Sequence, residues 1–163
     1  MNVKALAKVL LVDDEPEFVA ILTQRLSKRN YSVTFAHSGK DALARLEGDK
    51  GIEVVILDVK MPGLNGIETL KLIRKKWPQI EVIMLTSHST LNSAINAIKL
   101  GAHDFLLKPI EIEKLVSKME KAAGKKRHRD KLILDVYMTP YLTQRERKEK
   151  IANILHPEAN SDG

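Results

Sequence analysis

The chain has 163 residues, of which 44% are hydrophobic, so it can form one globular domain with an extension. It contains no cysteine, which excludes a disulfide framework and a thiolate metal site. No apolar run approaches the roughly 18 residues that a membrane span needs, and the N-terminal stretch is too short for a secretory signal. These features predict a cytoplasmic protein without a membrane partner, and the net charge of +6 favours an acidic partner.

Short apolar runs alternate with stretches of helical periodicity along most of the chain. The runs predict five strands, at residues 9–12, 33–35, 54–57, 82–85 and 105–107. Apolar residues between the runs recur at the spacing of amphipathic helices. Five strand–helix units in a row predict an α/β fold with a parallel, doubly wound sheet that is covered on both faces.

Side chains that carry chemistry follow four of the predicted strands. Asp13 and Asp14 follow the first strand, Asp58 the third, Thr86 the fourth and Lys108 the fifth. Ligands of such sheets bind at the carboxyl ends of the strands, so these groups are expected around one point. Two carboxylates about 4 Å apart repel by roughly 1–4 kcal/mol, depending on the dielectric constant. Three carboxylates therefore predict a hard divalent cation, and an all-oxygen site suits Mg²⁺.

Four segments occur in a recognisable order: LLVDDEP, VVILDVKMPGLNGIE, VIMLTSH and GAHDFLLKP. On these segments the chain resembles the response-regulator receiver domain of two-component signalling, over about residues 8–123. The resemblance implies a flavodoxin-like fold of five strands and five helices. It divides the chain into a receiver domain, residues 1–123, and a basic, helical extension, residues 124–163, that serves interaction or oligomerisation.

The resemblance also implies roles for the acidic residues. Asp58 matches the phosphoacceptor, whose carboxylate attacks a phosphohistidine in line. Asp14 would bind Mg²⁺ directly and Asp13 through water, while Asp58 and the backbone carbonyl of Lys60 complete the protein ligands. The metal would neutralise charge on the transferring phosphoryl group.

The remaining strand-end residues match further members of the family site. Lys108 would pair with a phosphoryl oxygen, and Thr86 would move its hydroxyl towards the phosphoryl group. These two residues and Asp58 form the implied catalytic group. Phe105 matches an aromatic switch position, and the peptide between Lys108 and Pro109 is expected to be cis.

Simpler structural roles are available for several of these residues. Asp13 and Asp14 could cap the first helix, where Pro16 suits a first-turn position. Thr86 could be an ordinary strand-end cap, and Phe105 could be part of the core.

Two side chains are expected to border the route by which water reaches the phosphoryl group. Lys60 follows Asp58 by two residues, and His88 follows Thr86 by two. Both are bulky and can donate hydrogen bonds, which predicts a long phosphoryl lifetime. The alternative is that both are solvated loop side chains.

The C-terminal extension begins with the basic run GKKRHRDK, and the apolar segment LILDVYM follows. That segment needs a burial site, either on the receiver or on a second copy of the chain in a homodimer. A helix is predicted after it, with Thr143 and Glu146 at the spacing of a capping box. Its likeness to the first helix of a helix-turn-helix is short, and no recognition helix fits after it, so DNA binding is not expected.

The sequence therefore predicts a stand-alone response regulator. It would relay a phosphoryl signal from a histidine kinase or phosphotransfer protein to an output protein that the sequence does not name. Its only catalysis would be its own phosphotransfer and autodephosphorylation, so it is not classed as an enzyme. One alternative is the receiver part of a transcription regulator without its DNA-binding domain. Another is an aspartate-nucleophile phosphohydrolase, but the second acid of that class is missing, since Val59 and Lys60 follow Asp58.

Overall fold

Five parallel strands form one sheet in the order β2-β1-β3-β4-β5, in a computed structural model that describes residues 5–157. The strands are Lys8–Val12 (β1), Ser32–Ala36 (β2), Val54–Asp58 (β3), Glu81–Thr86 (β4) and Asp104–Leu107 (β5). The helices are Pro16–Ser27 (α1), Gly39–Gly48 (α2), Gly66–Lys76 (α3), Leu91–Lys99 (α4), Ile112–Met138 (α5) and Gln144–Leu155 (α6). A 3-10 turn, His88–Thr90, precedes α4. The predicted α/β fold is confirmed, whereas residues 1–4 and 158–163 of the predicted segments lie outside the described residues.

Two separate hydrophobic cores cover the two faces of the sheet. Leu10 and Val12 of β1 enter the core that contains buried residues of α2, α3 and α4. Val9 and Leu11 enter the other core, together with buried residues of α1 and α5. Successive side chains of a strand point to opposite faces. Because both faces are buried, the strands read as continuous apolar runs.

Helix α5 is one continuous helix of 27 residues. The basic run and the apolar segment LILDVYM both belong to it, so the predicted division between residues 123 and 124 falls inside a helix. The receiver does not bury the end of this segment: Leu134, Tyr137 and Met138 are 58%, 59% and 74% exposed.

Two arginines hold the continuation of α5 against the amino end of the sheet. The Arg127 Nε atom lies 2.8 Å from Glu53 Oε2, just before β3. The Arg129 guanidinium pairs with Glu81, the first residue of β4. Glu81 is 1% exposed and Arg129 is 8% exposed. These tertiary contacts outweigh the weak helix propensity of Gly124, so α5 does not end where the receiver resemblance ends.

The predicted capping box at the start of α6 is confirmed. The Thr143 backbone N–H donates to Glu146 Oε2 at 2.7 Å, and the Glu146 N–H donates to Thr143 Oγ1 at 3.1 Å. Helix α6 packs against α5. Within residues 5–157, no helix has both the length and the apolar content to cross a membrane.

Helix α3 starts at the carboxyl end of the sheet and ends near the opposite end. A Cβ atom on Gly66, its first residue, would lie 2.1 Å from the Asp58 carbonyl oxygen, so only glycine fits there. Trp77 follows the last turn and is 7% exposed, with the Lys76 amine 5.1 Å from its ring centroid. At 1.5 Å per residue, the helix separates Trp77 from the Asp58 loop by about 16 Å.

Candidate functional site

Three carboxylates meet at the carboxyl end of the sheet. Asp13 and Asp14 follow β1, and Asp58 ends β3, the strand beside it. Each offers an oxygen that lies within 4.8 Å of the other two. Asp13 is fully buried and Asp58 is 6% exposed. We call these three residues the acid cluster.

Lys108 joins the acid cluster from the end of β5. Its amine lies 2.7 Å from Asp13 Oδ2 and 3.6 Å from Asp58 Oδ1. The peptide between Lys108 and Pro109 is cis. Burial alone would lower the pKa of Lys108, but its hydrogen bond to Asp13 and the charges of Asp58 and Asp13 outweigh burial and raise it. Lys108 is therefore a permanent cation beside the acid cluster.

The electrostatics of Asp58 are unfavourable for an ionised carboxylate. Burial, and next the negative charge of Asp13, raise the pKa of Asp58 to about 6, although Lys108 acts in the opposite direction. A positive charge at this point would restore the ionised form. The donor set is entirely oxygen, which fits Mg²⁺ or a similar hard cation.

Helix capping does not account for the acids after β1. Glu15 occupies the N-cap of α1 and makes no side-chain capping bond, and Pro16 fills the first helical position. Asp13 Oδ1 instead accepts a hydrogen bond at 2.9 Å from the backbone N–H of Glu15. The alternative that Asp13 and Asp14 cap α1 is therefore wrong.

An open cavity of about 590 Å³ lies over the acid cluster. Lys60 lines it from the loop after β3, and Ser87 and Thr90 line it from the turn after β4. His88 is not among its lining residues. It lines a neighbouring groove with Phe105, and Lys108 lines both. Lys60 therefore borders the cavity over the acid cluster, whereas His88 does not.

Thr86 and Phe105 do not line this cavity. Thr86 is fully buried, and its Oγ1 atom is 2.5 Å from Thr90 Oγ1. Phe105 is partly buried and packs against the core that contains α2, α3 and α4. Sequence reasoning missed Thr90; its signal was the spacing Ser87-x-x-Thr90, which forms a capping box on the 3-10 turn.

Comparisons with known proteins agree with this geometry. The family described as "Response regulator receiver domain" matches residues 9–120. YkoG of Bacillus subtilis, an uncharacterized transcriptional regulatory protein, is 38% identical over 115 residues, which are 70% of this chain and 50% of YkoG. The transcriptional regulatory protein CpxR of Escherichia coli is 40% identical over 112 residues, which are 69% of this chain and 47% of CpxR. The chain thus spans about half the length of these two relatives.

Solved structures give the same result. A response regulator receiver domain protein from Clostridium thermocellum superposes with a TM-score of 0.68 at 35% identity, covering 78% of this chain and 99% of that chain. NtrX from Brucella abortus, in complex with ADP, superposes with a TM-score of 0.73 at 26% identity, covering 88% of this chain and 32% of NtrX. With its acid cluster, its lysine and its strand order, the chain belongs to the response regulator receiver domain family of two-component systems.

Proposed function

We propose that the chain is a phosphorylation-controlled switch and that Asp58 accepts the phosphoryl group. One observation carries the proposal: a buried carboxylate with a raised pKa meets two further acids and a lysine at the mouth of an open cavity. The donor is a histidine kinase or a histidine phosphotransfer protein, the partners with which receiver domains interact.

The same residues supply a metal site. Asp13, Asp14, Asp58 and the backbone carbonyl of Lys60 would hold Mg²⁺ through oxygen atoms. The raised pKa of Asp58 fits a bound cation, because a cluster of acids with too little positive charge nearby favours one. When bound, Mg²⁺ supplies positive charge that offsets the charge of the transferring phosphoryl group.

The transfer step needs Asp58 in its ionised form. A carboxylate oxygen of Asp58 forms a bond to phosphorus while the bond from phosphorus to the phosphohistidine nitrogen breaks. The electron pair of that bond stays on the imidazole of the donor. Lys108 holds one phosphoryl oxygen through its amine, which is 3.6 Å from Asp58. Thr86 turns its hydroxyl to a second phosphoryl oxygen.

The test is phosphorylation by a small-molecule donor, acetyl phosphate, in the presence of Mg²⁺. We expect intact-mass spectrometry to show one added phosphoryl group on the wild type and none on Asp58→Asn. Asp135→Asn is the matched control, since Asp135 is an exposed acid on the distal part of α5. Labelling that persists at another residue of Asp58→Asn would contradict the assignment.

The output is the second part of the proposal. YkoG and CpxR are named transcriptional regulatory proteins, which supports the alternative that this receiver serves a DNA-binding regulator. The exposed apolar end of α5 supports output through a protein, either a second copy of the chain or a downstream partner. We propose the protein output.

Light scattering of phosphorylated and unphosphorylated protein tests self-association, and Tyr137→Ser with Met138→Ser should abolish any phosphorylation-dependent increase in mass. Pull-downs with both forms test a downstream partner. Salt-sensitive binding of the intact chain to one specific DNA sequence would favour the DNA-binding alternative.

A further inference from the structure

The turn after β4 contains a closed set of hydrogen bonds around the hydroxyl of Thr86. The Ser87 N–H donates to Thr90 Oγ1 at 3.1 Å, and Thr86 Oγ1 donates to the Ser87 carbonyl at 3.1 Å. The two threonine hydroxyls are 2.5 Å apart. The Thr86 hydroxyl thus has two partners in the turn, the Thr90 hydroxyl and the Ser87 carbonyl, and Thr90 Oγ1 also lies 3.4 Å from that carbonyl oxygen.

These hydrogen bonds compete with the proposed phosphoacceptor, Asp58, for the Thr86 hydroxyl. Asp58 pairs with Leu85 across β3 and β4, so Thr86 is one residue further along the neighbouring strand. The receiver resemblance implies that the Thr86 hydroxyl turns towards a phosphoryl group on Asp58, and such a turn is a change of its χ1 rotamer. In the structure the hydroxyl is turned to the 3-10 turn instead, and leaving it breaks the bonds to both Thr90 and Ser87.

We propose that Thr90 is a positioning residue that holds Thr86 in the resting orientation and so sets how readily the Asp58 site takes up a phosphoryl group. The inference rests on the proposed function. Thr90 also lines the cavity above Asp58, so the hydroxyl that holds Thr86 is close to the group that would release it. Removal of the Thr90 hydroxyl weakens the resting state, and the phosphoryl-bound state gains population by the same factor.

The experiment measures the affinity for beryllium fluoride, a stable mimic of the phosphoryl group, by isothermal titration calorimetry in saturating Mg²⁺. Thr90→Val keeps the branched shape and removes the hydroxyl, and we expect it to bind about three- to tenfold tighter than the wild type, as the loss of one resting-state hydrogen bond predicts. Thr90→Ser keeps the hydroxyl and should stay within about twofold of the wild type. Ser89→Ala is the matched control, because it removes a turn hydrogen bond, Ser87 Oγ to Ser89 Oγ at 2.8 Å, that does not involve Thr86.

A double-mutant cycle separates a role through Thr86 from a general effect on the turn. In the Thr86→Val background, Thr90→Val should leave the affinity unchanged. An equal gain with and without the Thr86 hydroxyl would overturn the proposal, since Thr90 would then act only on the turn. Weaker binding by Thr90→Val would also overturn it, because Thr90 would then contact the phosphoryl group itself.

The two proposals fail in different ways. A wild type that neither binds beryllium fluoride nor gains a phosphoryl group contradicts the proposed function, and the Thr90 proposal with it. A wild type that does both, but shows no coupling between Thr86 and Thr90, contradicts the role of Thr90 alone.

Discussion

Each end of the sheet contains a buried carboxylate, but only the one at the amino end is paired with an arginine. Asp58, at the carboxyl end of β3, is 6% exposed and lies beside two other acids with Lys108 as the nearby cation. Glu81, at the amino end of β4, is 1% exposed and pairs with Arg129. The same backbone scaffold therefore keeps an excess of negative charge at one end and neutralises it at the other.

The neutral end depends on the arginine and not on the histidine beside it. His103 Nδ1 lies 3.7 Å from Glu81 Oε2. Burial, and next the charge of Lys125, lower the pKa of His103, so the imidazole is neutral at pH 7. The buried carboxylate at the amino end therefore has an arginine partner within the chain, whereas three carboxylates at the carboxyl end share one lysine.

The largest change in unfolding free energy should come from breaking the Arg129–Glu81 ion pair at the amino end of the sheet. Arg129→Met leaves the Glu81 carboxylate buried without its guanidinium and should cost about 3–5 kcal/mol of unfolding free energy. Urea denaturation followed by circular dichroism measures this cost. The double variant with Glu81→Met should recover most of it, because an apolar pair of similar volume often replaces a buried ion pair without loss.

Arg127→Met is the matched control for that experiment. Arg127 pairs with Glu53 at the same end, but its side chain is 54% exposed, so the expected loss is at most about 1 kcal/mol. Truncation after Ala123 removes both arginines and should destabilise the receiver, whereas truncation after Met138 keeps them and should not. Equal stability of the two truncated proteins would show that α5 beyond residue 123 is not part of the receiver.

Removing a negative charge from the acid cluster should raise the unfolding free energy, whereas removing Arg129 should lower it. Asp58→Asn should stabilise the metal-free protein at pH 7.5 by about 1–3 kcal/mol, since a carboxylate with its pKa raised to about 6 is ionised at a cost. Thermal and urea unfolding in a chelator measure the difference, with Asp135→Asn as the exposed control. A destabilised Asp58→Asn would mean that Lys108 already compensates the acid cluster.

The pH dependence follows from the same pKa. Asp58 binds a proton more tightly in the folded state than in the unfolded state, so between about pH 4 and pH 6 the folded state holds more protons. The unfolding free energy of the wild type should therefore fall as the pH rises through this window. Asp58→Asn should lack this contribution, and the two stabilities should converge near pH 4.

A smaller effect is expected from adding the cation. Mg²⁺ at ten times its dissociation constant should stabilise the wild type by about 1.4 kcal/mol, by mass action alone. Asp13→Asn combined with Asp14→Asn should abolish this gain, and Asp135→Asn should keep it. Calorimetric titration checks the affinity directly, and Mg²⁺ binding that survives the double substitution would mean that Asp58 and the Lys60 carbonyl suffice.

The smallest effect concerns the lifetime of the phosphoryl group. Lys60 lines the cavity over Asp58, so its removal should open the approach of water, and phosphoryl decay in Lys60→Ala should be about three- to tenfold faster. His88 lines the neighbouring groove, so His88→Ala serves as the control and should decay at the wild-type rate. Faster decay in His88→Ala alone would reverse these two assignments.

Sequence reasoning predicted that the acids cluster at the carboxyl end of the sheet, because the signal for this clustering is local in the sequence. Asp13, Asp14 and Asp58 each follow an apolar run, and parallel strands bring their carboxyl ends to one edge. The Glu81–Arg129 pair at the amino end of the sheet has no such local signal in the sequence. Glu81 and Arg129 lie far apart along the chain, and the receiver resemblance stops before Arg129. Only the packed structure shows that the helix continues and that the two charges meet.

The same limit applies to the turn after β4. The sequence marks Thr86 by its place in VIMLTSH, but the direction of a hydroxyl depends on a rotamer and on neighbouring acceptors. Thr90 and Ser87 supply these partners within four residues. The capping-box spacing was present in the sequence, yet it predicts a helix start and not a restraint on Thr86.

Trp77 decides which event the protein's intrinsic fluorescence reports. It is the one tryptophan of the chain, it is 7% exposed, and it follows the far end of α3, about 16 Å of helix away from the Asp58 loop. Its emission should therefore shift when the core unfolds and exposes the indole ring to water. Cation binding and phosphorylation at the other end of the helix should leave it unchanged. We therefore expect Trp77 fluorescence to report unfolding and not the occupancy of the acid cluster.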